Sequence, residues 1–225
     1  MIKAVLCDLD DTLYDEATYV ASGLQAVARH MAAQYAVDAD TLYRVMQTDI
    51  DHHGRGTAFN AALRAVGQPD GQREVDALVN VYRQHRPAIS LYPDAAHFLK
   101  EFLKANEPRK MALVTDGLTL MQKNKVAALG IADRFNAVVY CWELNAPKPN
   151  PAGLKEAIKR LEVLPQECVM IGDRIDHDMQ PAKALGMTTI RLLRGRFKND
   201  GLASDAIDKS FHDLAPVLDY LEHLR

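Results

Sequence analysis

The sequence lacks the features that mark membrane, exported and nucleic-acid-binding proteins. No apolar run approaches the ~20 residues that a helix needs to cross a bilayer, and the acidic residues within positions 1–10 come too early for a signal peptide. The formal net charge is −3, so there is no basic surplus to attract nucleic acid or an anionic membrane. We therefore predict neither a nucleic-acid partner nor a membrane partner.

Cysteine is scarce, and internal repeats and low-complexity tracts are absent. The three cysteines, Cys7, Cys141 and Cys168, are far apart and lie in apolar runs, which indicates buried thiols in a reducing compartment rather than a disulfide framework. With 225 residues, of which 48% are hydrophobic and 25% charged, the chain has the composition of a folded domain with room for an insert. These features predict a cytoplasmic globular protein and leave its function open.

Short apolar runs rich in β-branched residues alternate with helical patterns over much of the chain. Continuous apolar runs of this length are typical of strands buried on both faces of a parallel sheet. The runs cover residues 4–7, 111–114, 137–141, 168–171 and 188–193. Helical patterns that stop at Gly130 and before Pro165 separate some of them. We therefore predict a doubly wound α/β fold with a Rossmann-like parallel sheet.

The alternation is interrupted directly after the first run. Between about residues 17 and 87 the apolar spacing is helical, as where Val20, Leu24, Val27 and Met31 recur at i, i+4, i+7 and i+11. We predict that residues 17–88 form a small α-helical insert, and that residues 1–16 and 89–225 form the α/β core. The alternative is that these helices only pack on the sheet, but so many consecutive helices are unusual within a βα alternation.

Polar side chains follow the predicted strands at the points where the strands end. They are Asp8 and Asp10 after the first run, Thr115 and Asp116 after the second, Lys148 after the third, and Asp173 and Asp178 after the fourth. Because ligands of open α/β sheets bind at the carboxyl ends of the strands, we expect these side chains to meet in one crevice.

Asp8, Asp10 and Asp173 would together form a dense cluster of negative charge. Like charges at close range cannot all stay ionised without a counter-charge. A hard divalent cation with oxygen ligands provides it, and Mg²⁺ is the usual ion where phosphate also binds. We therefore predict a Mg²⁺ site, with one aspartate acting as nucleophile and another able to hold and pass on a proton. Solvated acids at strand ends are the alternative, which the convergence with Lys148 disfavours.

The order of these motifs resembles the haloacid dehalogenase-like (HAD) hydrolase superfamily over nearly the whole chain. The resemblance rests on Asp8-x-Asp10-x-Thr12, on Thr115, on Lys148 in a Lys-Pro-Asn-Pro loop, and on Gly172-Asp173 with Asp178 five residues later. The helical insert resembles the small α-helical (C1-type) cap that covers the active site in this superfamily.

The resemblance implies roles in phosphoryl transfer. Asp8 would attack the phosphorus atom and form an aspartyl-phosphate, and Asp10 would protonate the leaving alcohol and then activate water. Thr115 and Lys148 would hold the phosphoryl oxygens. Asp116 is predicted to bind the phosphate with them. Many members carry asparagine at this position, so the exact phosphate contacts of Asp116 are left open.

The resemblance also implies a set of metal ligands. Mg²⁺ would be bound by Asp8, by the backbone carbonyl of Asp10 and by Asp173. Asp178 would orient Lys148 or a metal-bound water.

The aspartate at position 10 is typical of the phosphatase branch. By the same resemblance, true dehalogenases lack an aspartate there and phosphotransferring ATPases carry threonine. We expect hydrolysis of a small soluble phosphate monoester, such as a sugar phosphate, a phosphoglycolate-like acid or a nucleotide. A phosphomutase of the same superfamily and a non-catalytic phosphate-binding protein stay open as alternatives. The sequence identifies neither the substrate nor the oligomeric state.

A polar segment at residues 51–57 of the insert lies between two predicted helices. Glycines flank Arg55, and His52 and His53 precede it. Because loops on a rigid scaffold often carry function, these three residues are candidates for contact with the leaving group of the substrate. A solvent-exposed helix connection is the alternative. A zinc site is disfavoured, since adjacent histidines point apart and no third ligand is near.

Overall fold

A computed structural model describes residues 1–102, 109–201 and 204–224. The chain divides into two compact units. The first comprises Met1–Glu16 and Ser90–Arg225, and the second comprises Ala17–Ile89. The second unit is therefore inserted into the first at a single place in the chain.

Within the described residues, the first unit contains a parallel sheet of six strands. The strands are β1 (Ala4–Cys7), β2 (Lys110–Thr115), β3 (Ala137–Tyr140), β4 (Cys168–Gly172), β5 (Thr188–Leu192) and β6 (Lys209–Phe211). Their order is β3-β2-β1-β4-β5-β6, so the chain builds outward from β1 to one edge and then returns to build the other side. This reversal defines a doubly wound α/β fold, and the predicted fold class is confirmed.

The burial of the central strands explains why their sequences are continuous apolar runs. Every residue of β1 and of β4 is buried. Leu6 of β1 lies opposite Ala112 of β2 and opposite Met170 of β4. These side chains share a hydrophobic core with Val114 and Leu154. Because both faces of the central strands are covered, no polar alternation is needed along them.

The second unit is helical. Its helices are α1 (Glu16–Tyr35), whose first residue belongs to the first unit, α2 (Ala39–His53), α3 (Ala58–Ala65) and α4 (Gln72–Gln84). Leu24 and Met31 of α1 pack with Leu42, Leu63 and Leu78 of the other three helices in a common core. The apolar faces of these helices therefore meet within the unit.

The helices of the first unit connect its strands or follow them. They are α5 (Pro93–Phe102), α6 (Thr119–Leu129), α7 (Ala152–Leu161), α8 (Gln180–Ala184) and α9 (Val217–His223). Short 3₁₀ turns cover Ala132–Arg134, Cys141–Leu144 and Pro165–Glu167, and a π-helical turn covers Ile175–Met179. Helix α6 ends at Gly130, whose φ of 63° is left-handed, as its glycine predicts.

The two segments of chain that enter and leave the insert are paired with each other in the first unit. Tyr14 and Leu91 form an antiparallel bridge. The backbone N–H of Tyr92 also donates a hydrogen bond to the carbonyl oxygen of Leu13 at 3.0 Å. The insertion is thus closed by backbone pairing at its base.

Some boundaries differ from those that the sequence predicts. Strand β6 lies outside the predicted set, because its residues form no apolar run and it pairs only with β5 at the edge of the sheet. Cys141 begins a 3₁₀ turn instead of ending the third strand. His52 and His53 are the last two residues of α2 rather than part of a loop.

The cysteines are buried and form no disulfide, as their apolar surroundings predict. Burial raises the pKa of the Cys141 thiol to about 11, so this thiol stays protonated and unreactive at neutral pH. No helix in the described part of the chain combines the length and apolar character that a membrane span requires.

Candidate functional site

The carboxyl ends of the central strands bring together most of the predicted site residues. Strand β1 lies between β2 and β4, and the loops after these strands surround a cleft of about 220 Å³. The predicted residues that line this cleft are Asp8, Asp10, Asp116, Lys148, Asp173 and Asp178. The cleft lies where the strand order reverses, which is the usual ligand position in an open α/β sheet.

Lys148 joins two of the carboxylates. Its Nζ atom lies 2.6 Å from Asp8 Oδ1 and 2.6 Å from Asp178 Oδ1. The Lys148 side chain is only 4% exposed. Burial alone would lower the pKa of its ammonium group, but the carboxylates of Asp178 and Asp8 outweigh burial and raise that pKa. Lys148 is therefore a fixed positive charge beside Asp8.

Asp8, Asp173 and Asp178 place carboxylate oxygens in one small volume. One oxygen from each residue lies within 4.8 Å of the other two. Burial raises the pKa of Asp8 to about 7, although Lys148 opposes this shift. Burial, together with the neighbouring Asp8 and Asp178, raises the pKa of Asp173 to about 9. These acids resist losing their protons together, so the three oxygens fit a hard divalent cation such as Mg²⁺.

Gly172 allows the carboxylate of Asp178 to approach the end of β4. A Cβ atom at position 172 would lie 2.5 Å from Asp178 Oδ2. The same oxygen accepts a hydrogen bond from the backbone N–H of Arg174 at 3.2 Å. One oxygen of Asp178 is therefore held by Lys148 and the other by the backbone. The predicted role of Asp178, orienting Lys148 or a metal-bound water, stays a prediction.

Thr115 ends β2 with its side chain fully buried. Within the described residues, its Oγ1 atom has no hydrogen-bond partner. An unsatisfied buried hydroxyl costs about 1–3 kcal/mol, and a phosphoryl oxygen of a ligand would satisfy it. The neighbouring Asp116 accepts a hydrogen bond from the backbone N–H of Lys148 at 3.0 Å. The carboxylate of Asp116 thus fixes the Lys148 loop, a contact that the sequence did not indicate.

Asp10 has a separate set of partners. Lys125 Nζ lies 2.7 Å from Asp10 Oδ1, and Gln122 Nε2 donates to Asp10 Oδ2 at 2.9 Å. The hydroxyl of Tyr14 also donates to Asp10 Oδ1. Sequence analysis identified none of these partners. The signal that could have found Lys125 is its place on the apolar stripe of α6, where a lysine requires a buried partner.

Arg191 of β5 is fully buried and ties the loop after β5 to the site. Its guanidinium group donates to the backbone carbonyls of Asp173, Phe197, Asp200 and Gly201. Because four carbonyl oxygens share one cation, the loop and the backbone of Asp173 are held together. Nothing in the local sequence distinguishes this arginine from one exposed on an edge strand.

The loop after β5 also lines the cleft with residues that sequence analysis did not select. Arg196 and Phe197 lie in the cleft wall, as does Arg174 from the loop after β4. The guanidinium groups of Arg174 and Arg196 lie 4.4 Å and 5.0 Å from the centre of the Phe197 ring. Asp11 anchors this loop by accepting a hydrogen bond from the backbone N–H of Arg196 at 3.1 Å.

His52, His53 and Arg55 lie in the second unit, at exposed positions. His52 Nδ1 contacts the carbonyl oxygen of Thr48 at 2.7 Å, and His53 Nδ1 lies 3.3 Å from Asp49 Oδ1. Both histidines are thus engaged along their own helix. Their predicted contact with substrate, like that of Arg55, stays a prediction.

Comparison with known proteins identifies the family of this chain. The sequence profile of the haloacid dehalogenase-like hydrolase family matches residues 2–186. The chain belongs to this family. The superfamily that the motifs resemble is thereby confirmed.

Named relatives of this hydrolase include two glyceraldehyde 3-phosphate phosphatases. That of Methanopyrus kandleri is 35% identical over 88% of this chain and 87% of its own length. That of Methanocaldococcus jannaschii is 32% identical over 100% of this chain and 99% of its own length. A phosphoserine phosphatase of Thermus thermophilus is 31% identical over 67% of this chain and 59% of its own length. The prediction of a phosphoric monoester hydrolase is confirmed.

Solved structures of the family share the fold. A 2-haloacid dehalogenase from Pseudomonas syringae pv. tomato superposes with a TM-score of 0.67 and 26% identity over the full length of both chains. A HAD phosphatase from Thermococcus onnurineus gives a TM-score of 0.64 and 26% identity over 98% of each chain. The hydrolase therefore has the α/β architecture of its family.

Proposed function

We propose that this hydrolase is a Mg²⁺-dependent phosphatase that cleaves a small sugar phosphate through an aspartyl-phosphate on Asp8. The observation that carries the proposal is the buried contact of Asp8 with Lys148 at the end of β1. Thr115 ends the neighbouring strand β2, and within the described residues its buried hydroxyl has no hydrogen-bond partner. A nucleophilic oxygen and a fixed positive charge are thus in contact, and a buried hydroxyl ends the adjacent strand of the sheet. These are the groups that phosphoryl transfer requires for positioning and charge stabilisation.

The donor set supports a magnesium site. Asp8, Asp173 and Asp178 offer carboxylate oxygens within 4.8 Å of one another, and the family resemblance adds the backbone carbonyl of Asp10. Asp8 and Asp173 would hold the ion, with Asp178 beside them. When bound, Mg²⁺ supplies positive charge that offsets the carboxylates and the phosphate oxygens.

The chain's own residues divide the chemistry between them. Asp8 attacks the phosphorus atom, so that its oxygen–phosphorus bond forms while the bond from phosphorus to the leaving alcohol breaks. Lys148 and Thr115 hold the phosphoryl oxygens during this transfer. Asp10 gives a proton to the leaving alcohol. In the second step, water attacks phosphorus, Asp10 takes the proton of that water, and Asp8 is released as a carboxylate.

The relatives support a phosphorylated sugar as the substrate. Those from Methanopyrus kandleri and Methanocaldococcus jannaschii are named for glyceraldehyde 3-phosphate, and that from Halopiger xanaduensis is a ribulose-1,5-bisphosphate 5-phosphatase. A cleft of about 220 Å³ has room for a small ester of this kind. We propose glyceraldehyde 3-phosphate as the first substrate to test.

We also propose that the helical unit of Ala17–Ile89 acts as the cap of this hydrolase and selects the substrate. In that role His52, His53 and Arg55 would contact the part of the substrate that leaves as an alcohol. The buried thiols and the soluble substrate fit a cytoplasmic enzyme.

The proposal is tested by phosphate release from glyceraldehyde 3-phosphate with Mg²⁺ and with EDTA. We expect turnover with Mg²⁺, little with EDTA, and a loss of about 10³-fold or more in Asp8→Asn. Asp133→Asn is the matched control, because Asp133 is an exposed acid with 82% of its side chain accessible. Release of an isomeric phosphate ester instead of inorganic phosphate would identify a phosphomutase. Binding of phosphate esters without turnover would identify a non-catalytic binding protein.

A further inference from the structure

The two aspartates of the Asp8-x-Asp10 motif have different lysines. Asp8 is paired with Lys148 and Asp10 with Lys125, in each case across more than a hundred residues of sequence. The role proposed for Lys148 at the phosphoryl group does not account for Lys125. Since Asp10 lines the cleft, the contacts of its carboxyl group bear on the proton transfer proposed above.

Three side chains hold the Asp10 carboxyl group by both of its oxygens. Lys125 and Tyr14 donate to Oδ1, and Gln122 donates to Oδ2 at 2.9 Å. Gln122 is itself fixed, because its Nε2 atom also donates to the backbone carbonyl of Asp116. A carboxyl group bonded through both oxygens cannot rotate freely about its χ2 torsion. Its plane is therefore set before a substrate arrives.

The burial of Lys125 distinguishes this pair from an ordinary surface ion pair. The Lys125 side chain is 5% exposed, whereas that of Asp10 keeps 26% exposure. Burying an ammonium group costs several kcal/mol unless close partners compensate for the lost hydration. The lysine is thus enclosed behind Asp10, and the carboxyl group remains accessible on its cleft side.

The backbone near Gln122 is shaped for this contact. Gly117 has a φ of 116°, and a Cβ atom there would lie 2.9 Å from Gln122 Nε2. Only glycine adopts this conformation without strain and leaves room for the amide. The turn that follows Thr115 and Asp116 therefore also admits a side chain that holds Asp10.

We propose that Lys125 is a positioning residue that, with Gln122 and Tyr14, holds the carboxyl group of Asp10 where it transfers a proton to the leaving alcohol. This inference rests on the proton-transfer role given to Asp10 in the proposed function. Lys125 is not one of the residues that line the cleft. Because Lys125 acts through the orientation of Asp10, its loss should slow the reaction most when the leaving alcohol must receive a proton.

The test compares two leaving groups. Glyceraldehyde 3-phosphate releases a weakly acidic alcohol that needs a proton, and p-nitrophenyl phosphate releases an acidic phenol that does not. In Lys125→Met we expect kcat/KM to fall by about 10–100-fold for the first and by less than about 3-fold for the second. Lys125→Arg, which keeps a donor and the charge, should recover most of the loss.

Matched controls separate orientation from folding. Lys123→Met removes an exposed lysine of the same helix that pairs with Glu143 at 2.6 Å, and it should leave both substrates unchanged. Thermal unfolding of each variant reports the folded fraction. If Lys125→Met does not fold, Gln122→Met tests the same orientation from the other oxygen, with an expected selective loss of about 3–10-fold.

The Asp10→Asn variant tests the proton-transfer role of Asp10 separately from the positioning role of Lys125. If Asp10→Asn shows no preference between the leaving groups, the proton-transfer role in the proposed function is wrong, and this inference is wrong with it. If Asp10→Asn is selective but Lys125→Met affects both substrates equally or neither, only the inference is overturned. In the Asp10→Asn background, Lys125→Met should cost less than about 3-fold, since the two changes act through one group.

Discussion

Lys148 and Asp8 lie 140 residues apart in the sequence, yet Lys148 Nζ is 2.6 Å from Asp8 Oδ1. The same ammonium group contacts Asp178, so one buried cation serves two carboxylates. Removing it would leave both acids without their nearest positive charge. The phosphoryl oxygens of a bound substrate would lose it as well.

We therefore expect Lys148→Met to lower kcat by about 10²–10³-fold with glyceraldehyde 3-phosphate. Steady-state phosphate release measures this loss. The matched control is Lys183→Met, because Lys183 is a half-exposed lysine paired with Asp208 away from the cleft. The control should stay within about twofold of the unmodified enzyme. An active Lys148→Met variant would refute the role proposed for this lysine.

The stability of the metal-free protein should fall as pH rises. The pKa values of Asp8 and Asp173 are raised to about 7 and about 9 from an ordinary value of 3.8. At intermediate pH the folded protein therefore holds protons that the unfolded chain has released. The free energy of unfolding falls by about 1.4 kcal/mol per pH unit for each such proton. Urea denaturation in EDTA between pH 5 and pH 9 measures the slope, and a flat profile there would contradict it.

Magnesium should reverse this trend. Because the cation competes with protons for the same carboxylates, its stabilisation of the folded protein should grow with pH. The Asp173→Asn variant should lose most of the magnesium effect and part of the slope measured in EDTA. Magnesium stabilisation of equal size at pH 5 and pH 9 would count against a site at these acids.

Arg191 should be essential for the stability of the loop after β5. The Arg191→Met change leaves the backbone carbonyls of Asp173, Phe197, Asp200 and Gly201 without a common donor. We expect a loss of about 1–3 kcal/mol in the free energy of unfolding, because the buried carbonyl of Asp173 loses its donor, whereas Asp200 and Gly201 are exposed residues. Arg160→Met, which removes an exposed arginine paired with Glu156, should cost about 0.5 kcal/mol or less.

Gly195 should tolerate no side chain. Its φ is 68°, and a Cβ atom there would overlap the carboxyl group of Asp11. The matched control is Gly130, whose φ of 63° is similar but whose surroundings are open. Gly130→Ala should cost about 1–2 kcal/mol for the left-handed backbone alone. Gly195→Ala should lower the thermal stability clearly more than Gly130→Ala. Equal losses in the two variants would show that the side chain of Asp11 moves aside at little cost.

The sequence predicted the parts of the fold and site that depend on local pattern. Strands β1 and β4 are continuous apolar runs because both of their faces are buried. This pattern alone was sufficient to predict the two strands. Asp8 and Asp173 follow these strands directly. The geometry of a parallel sheet then brings the two carboxylates to one edge without further information.

Contacts made across long stretches of sequence could not be predicted in this way. The helical pattern of α6 could have marked Lys125 as buried, but no local pattern specifies its partner Asp10, which lies 115 residues away in the sequence. Arg191 resembles any polar residue of a strand near the sheet edge, and its partners are backbone carbonyls of Asp173 and of residues 197–201 that the fold brings to it. Strand β6 forms because it pairs with β5, and not because its own residues have a high β-strand propensity.

The bridge between Tyr14 and Leu91 has a consequence for the history of such enzymes. All strands of the described sheet, and the backbone pairing at the base of the insertion, belong to the first unit. A different stretch of chain placed between these two residues would leave the strand register as it is. Under the role in substrate selection proposed for the intervening helices, natural selection can lengthen, shorten or exchange them and so recruit new metabolites, while the strands and loops of the first unit are inherited unchanged.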